Sequence, residues 1–128
     1  MKNVGEVMST GVLTVTGEAT LSHVARELRH RNVGSAIVVD GEDRPIGIIS
    51  ERELVDAVAG SRNPDVGTAQ LWMRADPVTI PPQTSIVQAT ETMREHGVRH
   101  LPVSEEGRLV GVVSVRDLLA ASMYLDRD

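Results

Sequence analysis

The chain has 128 residues, 41% of them apolar, and 13 Lys and Arg set against 18 Asp and Glu leave a net charge of −5. That length suffices for one compact domain or two packed halves, and with no Cys a disulfide framework and thiolate chemistry are excluded. Divided at Pro64, the charge is −2 (seven bases, nine acids) and −3 (six bases, nine acids), so neither half carries the basic surplus of nucleic-acid or anionic-membrane binding.

One Trp, one Tyr and no Phe require a core of Val, Ile, Leu, Met and Ala. Met1 to Thr16 lacks the basic start and apolar run of a secretion signal, and no stretch is long enough to span a bilayer, so a soluble, cytoplasmic protein is expected. In chain order, a β-prone run from Val12 to Thr16 meets turn chemistry at Thr16 and Gly17. Leu21, Val24, Ala25 and Leu28 then recur at helical spacing, and Asn32 stands where a left-handed cap closes a helix. Ser35 to Val39 and Pro45 to Ile49 form a hairpin around Asp40, Gly41, Glu42 and Asp43. A helix from Glu51 carries Leu54, Val55 and Val58 on one side.

Gly60 to Gly67 reads as a connector, and Ala69 to Trp72 as a short helical approach to the second half of the chain. The pattern then repeats: a strand from Val78 to Ile80, a turn at Pro81 and Pro82, and a helix with Ile86, Ala89 and Met93, capped by a Ser85/Gln88 box and closed by Gly97. A hairpin of Leu101 to Val103 and Leu109 to Val113 comes next, then a helix from Val115 with Leu118 and Leu119 on one side. The polar tail from Tyr124 to Asp128 is expected to fray. Self-alignment makes the duplication explicit: Met8/Met73, Thr14/Thr79, Arg29/Arg94 and Val38/Val103 share an offset of 65, and Arg44/Arg108, Gly47/Gly111, Ser50/Ser114 and Leu54/Leu118 an offset of 64. A repeat of this length is a domain rather than a solenoid unit.

A Met before the first strand and Gly-apolar-apolar-Ser-x-Arg-acid before the last helix, written twice from Val4 to Met123, resemble the cystathionine-β-synthase (CBS) domain, and the tandem resembles a Bateman module. The expected fold is α+β: two pseudo-twofold-related CBS domains, each strand-helix-strand-strand-helix, packed through their sheets. Residues 1–64 hold the first domain and the start of the connector; residues 65–128 hold the rest of the connector, the second domain and a short tail. The resemblance implies a regulatory module without catalysis that binds an adenine nucleotide (AMP, ADP or ATP) as a ligand and signals to a partner protein, commonly as a homodimer.

In similar modules the acid of this motif takes both ribose hydroxyls and the Ser three residues earlier meets phosphate. This places Ser114, Arg116 and Asp117 at one cleft, where a carboxylate has lone pairs for two donors and a helix start offers amides to an anion. The residue types fit equally a helix cap complementing its dipole. The resemblance adds Thr14, Val15, Ser35, Ala36 and Val38 to that cleft, to read and sandwich the base. A second, weaker cleft joins Ser50, Arg52 and Glu53 to Thr79, Ile80, Arg99, His100, Leu101 and Pro102. There Glu53 replaces the expected Asp and carries the carboxylate about 1.5 Å further, while Arg99 and His100 could compensate at a phosphate or be a solvated loop end.

His23, His30, His96 and His100 have no metal-ligand spacing, so no metal is expected. No Walker loop, nucleophile elbow or paired His and acid points to catalysis. Trp72 is assigned to linker packing rather than to the site, and the methionines to core or interface filling. Two alternatives stand beside the sensor: a scaffold or dimerisation module with vestigial clefts, and a sensor of another adenosine derivative such as S-adenosylmethionine or NAD.

Overall fold

The computed structural model describes residues 2–60 and 63–125. Among the described residues the order is α1 (Val4–Val7), β1 (Thr14–Val15), α2 (Leu21–Arg31), β2 (Ser35–Val39), β3 (Pro45–Ser50), α3 (Glu51–Ala59), α4 (Ala69–Trp72), β4 (Arg74–Ala75), α5 (Ile86–His96), β5 (His100–Glu105), β6 (Arg108–Ser114) and α6 (Val115–Leu125). The mixed α+β fold is the expected one. The chain forms two compact units: one is the contiguous run Val12–Pro77, and the other joins the residues up to Gly11 to those from Val78 onward.

In the contiguous unit the sheet order is β1-β2-β3-β4. β1 runs parallel to β2 with Thr14 opposite Ile37, and β2 pairs antiparallel with β3 from Ser35/Ser50 to Val39/Pro45. The hairpin turn is held by Asp40, whose Oδ1 accepts the Glu42 and Arg44 amides at 2.8 and 3.0 Å, and Asp43 supplies the positive φ of 61°. Thr20 caps α2 by accepting the His23 amide at 3.1 Å, and Asn32 closes it at φ 54°, as expected. Leu21, Val24 and Leu28 turn into a core with Val15, Ala36, Val38 and Ile49. Each such large aliphatic contributes about 1.5–3 kcal/mol on burial. Ala25 is exposed instead, being one 100° step from the Val24 that faces the sheet.

The second unit repeats this plan in reduced form. β5 and β6 pair from His100/Ser114 to Glu105/Arg108, while the outer positions are single bridges, Ile80 parallel to Val103 and Ser9 antiparallel to Val112. The strand expected over Val78 to Ile80 shrinks to that bridge because Pro77, Pro81 and Pro82 remove ladder donors around it. Ser85 accepts the Gln88 amide at 3.0 Å without the reciprocal bond of a full capping box, and Gly97 closes α5 at φ 64°. Met93, Leu101, Val103, Val113, Leu118 and Ala121 fill the core.

The faces of α3 and α6 differ from expectation. Leu118 is buried while Leu119 is 62% exposed, and Val55 and Val58 are each 65% exposed. α3 turns Glu53, Ala57 and the half-buried Leu54 to the core, and Val55 and Val58, three apart, share the opposite, exposed side.

The leading segment of each repeat docks on the other repeat. Val4 and Gly5 donate to Thr84 O and Pro82 O, both at 2.8 Å, and Ala69 and Gln70 donate to the matching Ala19 O and Gly17 O at 2.8 and 2.9 Å. The single turn α1 is too short for helical periodicity to reveal. Its sequence signal is the Asn3/Glu6 box, with Glu6 N donating to Asn3 Oδ1 and Asn3 N to Glu6 Oε1.

Candidate functional site

The candidate site is the junction where β6 ends and α6 begins. Ser114 N donates to Asp117 Oδ2 at 2.9 Å, and Asp117 N donates to Ser114 Oγ at 3.1 Å. The helix cap is therefore present, and it leaves chemistry over: the Ser114 hydroxyl proton is free of this pair, and Asp117 Oδ1 retains its accepting capacity. Both residues are half-buried, and Arg116 beside them is exposed and forms no ion pair among the described residues. The helix start is less open to an anion than the sequence suggested. Val115 N already donates to Arg99 O at 2.9 Å, and Asp117 N to Ser114 Oγ.

The β3/α3 junction is built from the same pattern with a different outcome. Glu53 is 7% exposed, and its Oε1 accepts both Ser50 N and Ser50 Oγ at 2.7 Å. The extra methylene lets the carboxylate fold back over the cap rather than reach outward, and it consumes the Ser50 hydroxyl proton. Arg52 is exposed.

Thr14, Val15, Ser35, Ala36 and Val38 lie together on β1 and β2 of the contiguous unit, with Ser50, Arg52 and Glu53 at its β3/α3 junction. Thr79, Ile80, Arg99, His100, Leu101 and Pro102 lie in the other unit with Ser114, Arg116 and Asp117. The register sets Ser35 opposite Ser50 and His100 opposite Ser114.

Side-chain direction narrows what these strands offer. Val15, Ala36 and Val38, like Ile80 and Leu101, are spent in their unit's helix-packed core, so their side chains do not face a ligand. Thr14 shares a face with Ile37, and Ile37 and its repeat counterpart Pro102 are fully buried outside both core clusters. Motif spacing misses Ile37, although strand alternation between Ala36 and Val38 marks it. Trp72 packs against the core of its unit. His23, His30 and His96 are exposed helix residues as expected, and among the described residues no three His, Asp or Glu gather to hold a metal. Among the same residues, no helix is long and apolar enough to cross a membrane.

Residues 4–60 and 66–124 each match the CBS domain family, so the chain belongs to that family and carries the domain twice in tandem. An uncharacterised protein of Methanopyrus kandleri is 35% identical over 125 residues, 96% of this chain and 64% of the relative's length. A putative signal-transduction protein with CBS domains from Burkholderia ambifaria superimposes with a TM-score of 0.89 at 26% identity, covering 96% of this chain and 95% of that one. A CBS domain protein of Pyrobaculum aerophilum, solved in complex with AMP, gives a TM-score of 0.88 at 32% identity, covering 98% and 99%.

Proposed function

We propose that the chain is a regulatory sensor that binds an adenine nucleotide, AMP, ADP or ATP, through Ser114, Arg116 and Asp117, and that it reports occupancy to a partner protein without catalysing a reaction. The observation that carries this reading is the Ser114/Asp117 cap, which keeps a hydroxyl proton for phosphate and a carboxylate oxygen for ribose beside the exposed Arg116. The complex of the Pyrobaculum aerophilum relative with AMP supports the ligand class. The β3/α3 junction is assigned the weaker role, since Glu53 occupies the Ser50 hydroxyl itself. Binding alters a regulatory equilibrium only through different affinity for two states.

The test is a thermal-shift and calorimetric screen of AMP, ADP, ATP, NAD, S-adenosylmethionine and guanine nucleotides. A ligand at about 100 times its dissociation constant stabilises by roughly 2.7 kcal/mol, a shift of several degrees. Adenine ligands are expected to bind and Asp117→Ala to lose them while the fold survives; full affinity in that variant would refute ribose recognition by Asp117. A preference for S-adenosylmethionine or NAD would keep the site and change the signal, because ribose recognition leaves the 5′ substituent open.

A second reading, a scaffold that works through its helices as a homodimer, is favoured by one feature. A groove of about 420 Å³ runs between α5 and α6, lined by Met93, Val98, Val115, Leu118 and Leu119, with Arg94 and Arg99 beside it. On that reading Leu119→Arg yields monomers in sedimentation, with or without nucleotide.

A further inference from the structure

The unit that holds Asp117 is made of two pieces of chain with the whole Val12–Pro77 unit between them. Its first piece is therefore held within the unit by non-covalent contacts alone. Val4, with no exposed surface, enters the core; Val4 N and Gly5 N bond the carbonyls of Thr84 and Pro82. Ser9 then pairs as a single extra strand residue on the free edge of β6, Ser9 N to Val112 O at 2.9 Å and Val112 N to Ser9 O at 3.0 Å. Between these anchors the Met8 thioether lies over Gly111, where an added Cβ would come within 2.5 Å of the sulfur.

This is a built peptide slot: two turn carbonyls, a strand edge and a notch that only glycine leaves open. Peptides that add a strand to a sheet edge use the same two resources, main-chain bonds for affinity and a side-chain pocket for specificity. The contiguous unit contains the slot again, filled by the matching motif. Met73 lies over Gly47, Ala69 and Gln70 bond the carbonyls of Ala19 and Gly17, and Arg74 pairs with Ile48. The occupants differ in their tether. The second is part of the contiguous unit, whereas the first leaves its unit at Thr10 and Gly11, both exposed, with open space around Gly11.

We propose that the slot on β6 is an interaction site for the Asn3–Ser9 segment of a second copy of this chain, so that two molecules can exchange leading segments about the Thr10–Gly11 hinge. Each of the resident segment's bonds to the slot is reproduced in the exchanged form, which is why such swapping is a low-cost route to dimers. The resident segment competes at an effective concentration on the order of millimolar, so exchange is expected to rise with protein concentration toward that range.

The absence of Cys makes the test clean. A cross-strand pair lies within the Cα span of a disulfide, about 4.4–6.8 Å, so full-length Ser9→Cys and full-length Val112→Cys are mixed, equilibrated and oxidised. A hybrid disulfide dimer is expected in amounts that grow with concentration and exceed those from Ser9→Cys mixed with Gly41→Cys, whose cysteines meet only by collision. Hybrid formation no greater than that control overturns the proposal. So does failure of the Ser9→Cys/Val112→Cys double variant to close within one chain when dilute, since the docking itself would then be absent. Should Val112→Cys not fold, Gly5→Cys with Pro82→Cys reads the same docking, the two Cβ positions being 3.1 Å apart and needing to part by a few tenths of an ångström to reach the roughly 3.5–4.5 Å of a disulfide.

Discussion

At the scale of single residues, one methylene separates the two junctions. Asp117 exchanges bonds reciprocally with Ser114, whereas Glu53 gathers both Ser50 donors onto one oxygen and is buried there. Removing it leaves the Ser50 amide and hydroxyl unpartnered, at about 1–3 kcal/mol. Glu53→Ala is therefore expected to lower stability to urea well beyond Glu51→Ala, and equal midpoints would show that Glu53 is dispensable. Asp117→Ala removes one helix-capping interaction, about 1 kcal/mol, so its predicted loss of nucleotide binding is separable from unfolding by circular dichroism. Asp40 carries a pH signature: the Arg44 amide foremost, then the Glu42 amide, hold its carboxyl below the ordinary value of 3.8. A depressed carboxylate stabilises the fold above the unfolded value and loses that contribution as pH falls through the folded one. The stability difference between the parent and Asp40→Asn is thus expected to be constant near neutrality and to shrink below pH 3.8; a difference that grows on acidification would contradict the assignment.

At the scale of elements, the two glycine notches invite unequal penalties. At Gly47 the two atoms closest to an added methyl group are the movable thioether sulfur and Cγ of Met73, whereas at Gly111 the backbone carbonyl of Ser9, at 2.9 Å, stands beside the Met8 sulfur. A side chain can swing away and a paired backbone cannot, so Gly111→Ala is expected to cost more than Gly47→Ala, within the roughly 1–3 kcal/mol of overpacking. Met73→Ala is expected to relieve part of the Gly47→Ala penalty in a double-mutant cycle, and additive effects there would mean that the sulfur does not occupy the notch. The hairpins, the α2 and α5 helices and their left-handed closures are legible in the sequence because each is set by nearby residues: period-two and helical spacing, and Asn32 and Gly97 at positive φ. The strand at Val78 to Ile80 is shorter than its β-prone residues imply because the prolines on either side outweigh them.

At the scale of the molecule, the doubled CBS pattern and the α+β fold are evident from the sequence, since a 64–65 residue offset survives in glycines, caps and apolar positions alike. Trp72, the sole Trp, lies in the contiguous unit, so its fluorescence is expected to follow that unit while amide exchange along β6 follows the other. In a chain lacking residues 1–9, faster exchange at Val112 and Val113 with an unchanged Trp72 signal is the expected result; equal disturbance of both probes would show that the segment supports the whole chain rather than its own unit. The motif residues Ser114, Arg116 and Asp117 could be selected from spacing and resemblance, because such a junction is written in seven consecutive letters. What spacing could not convey is which lone pairs remain after the cap forms, which strand residues are spent in the core, and that each leading segment docks on the other repeat. The first is a matter of side-chain geometry within the junction itself and the second of which sheet face the helices cover, while the docking depends on long-range pairing, where one residue's partner lies some fifty to a hundred positions away, as Ala69 with Ala19 or Ser9 with Val112, and no local periodicity encodes it.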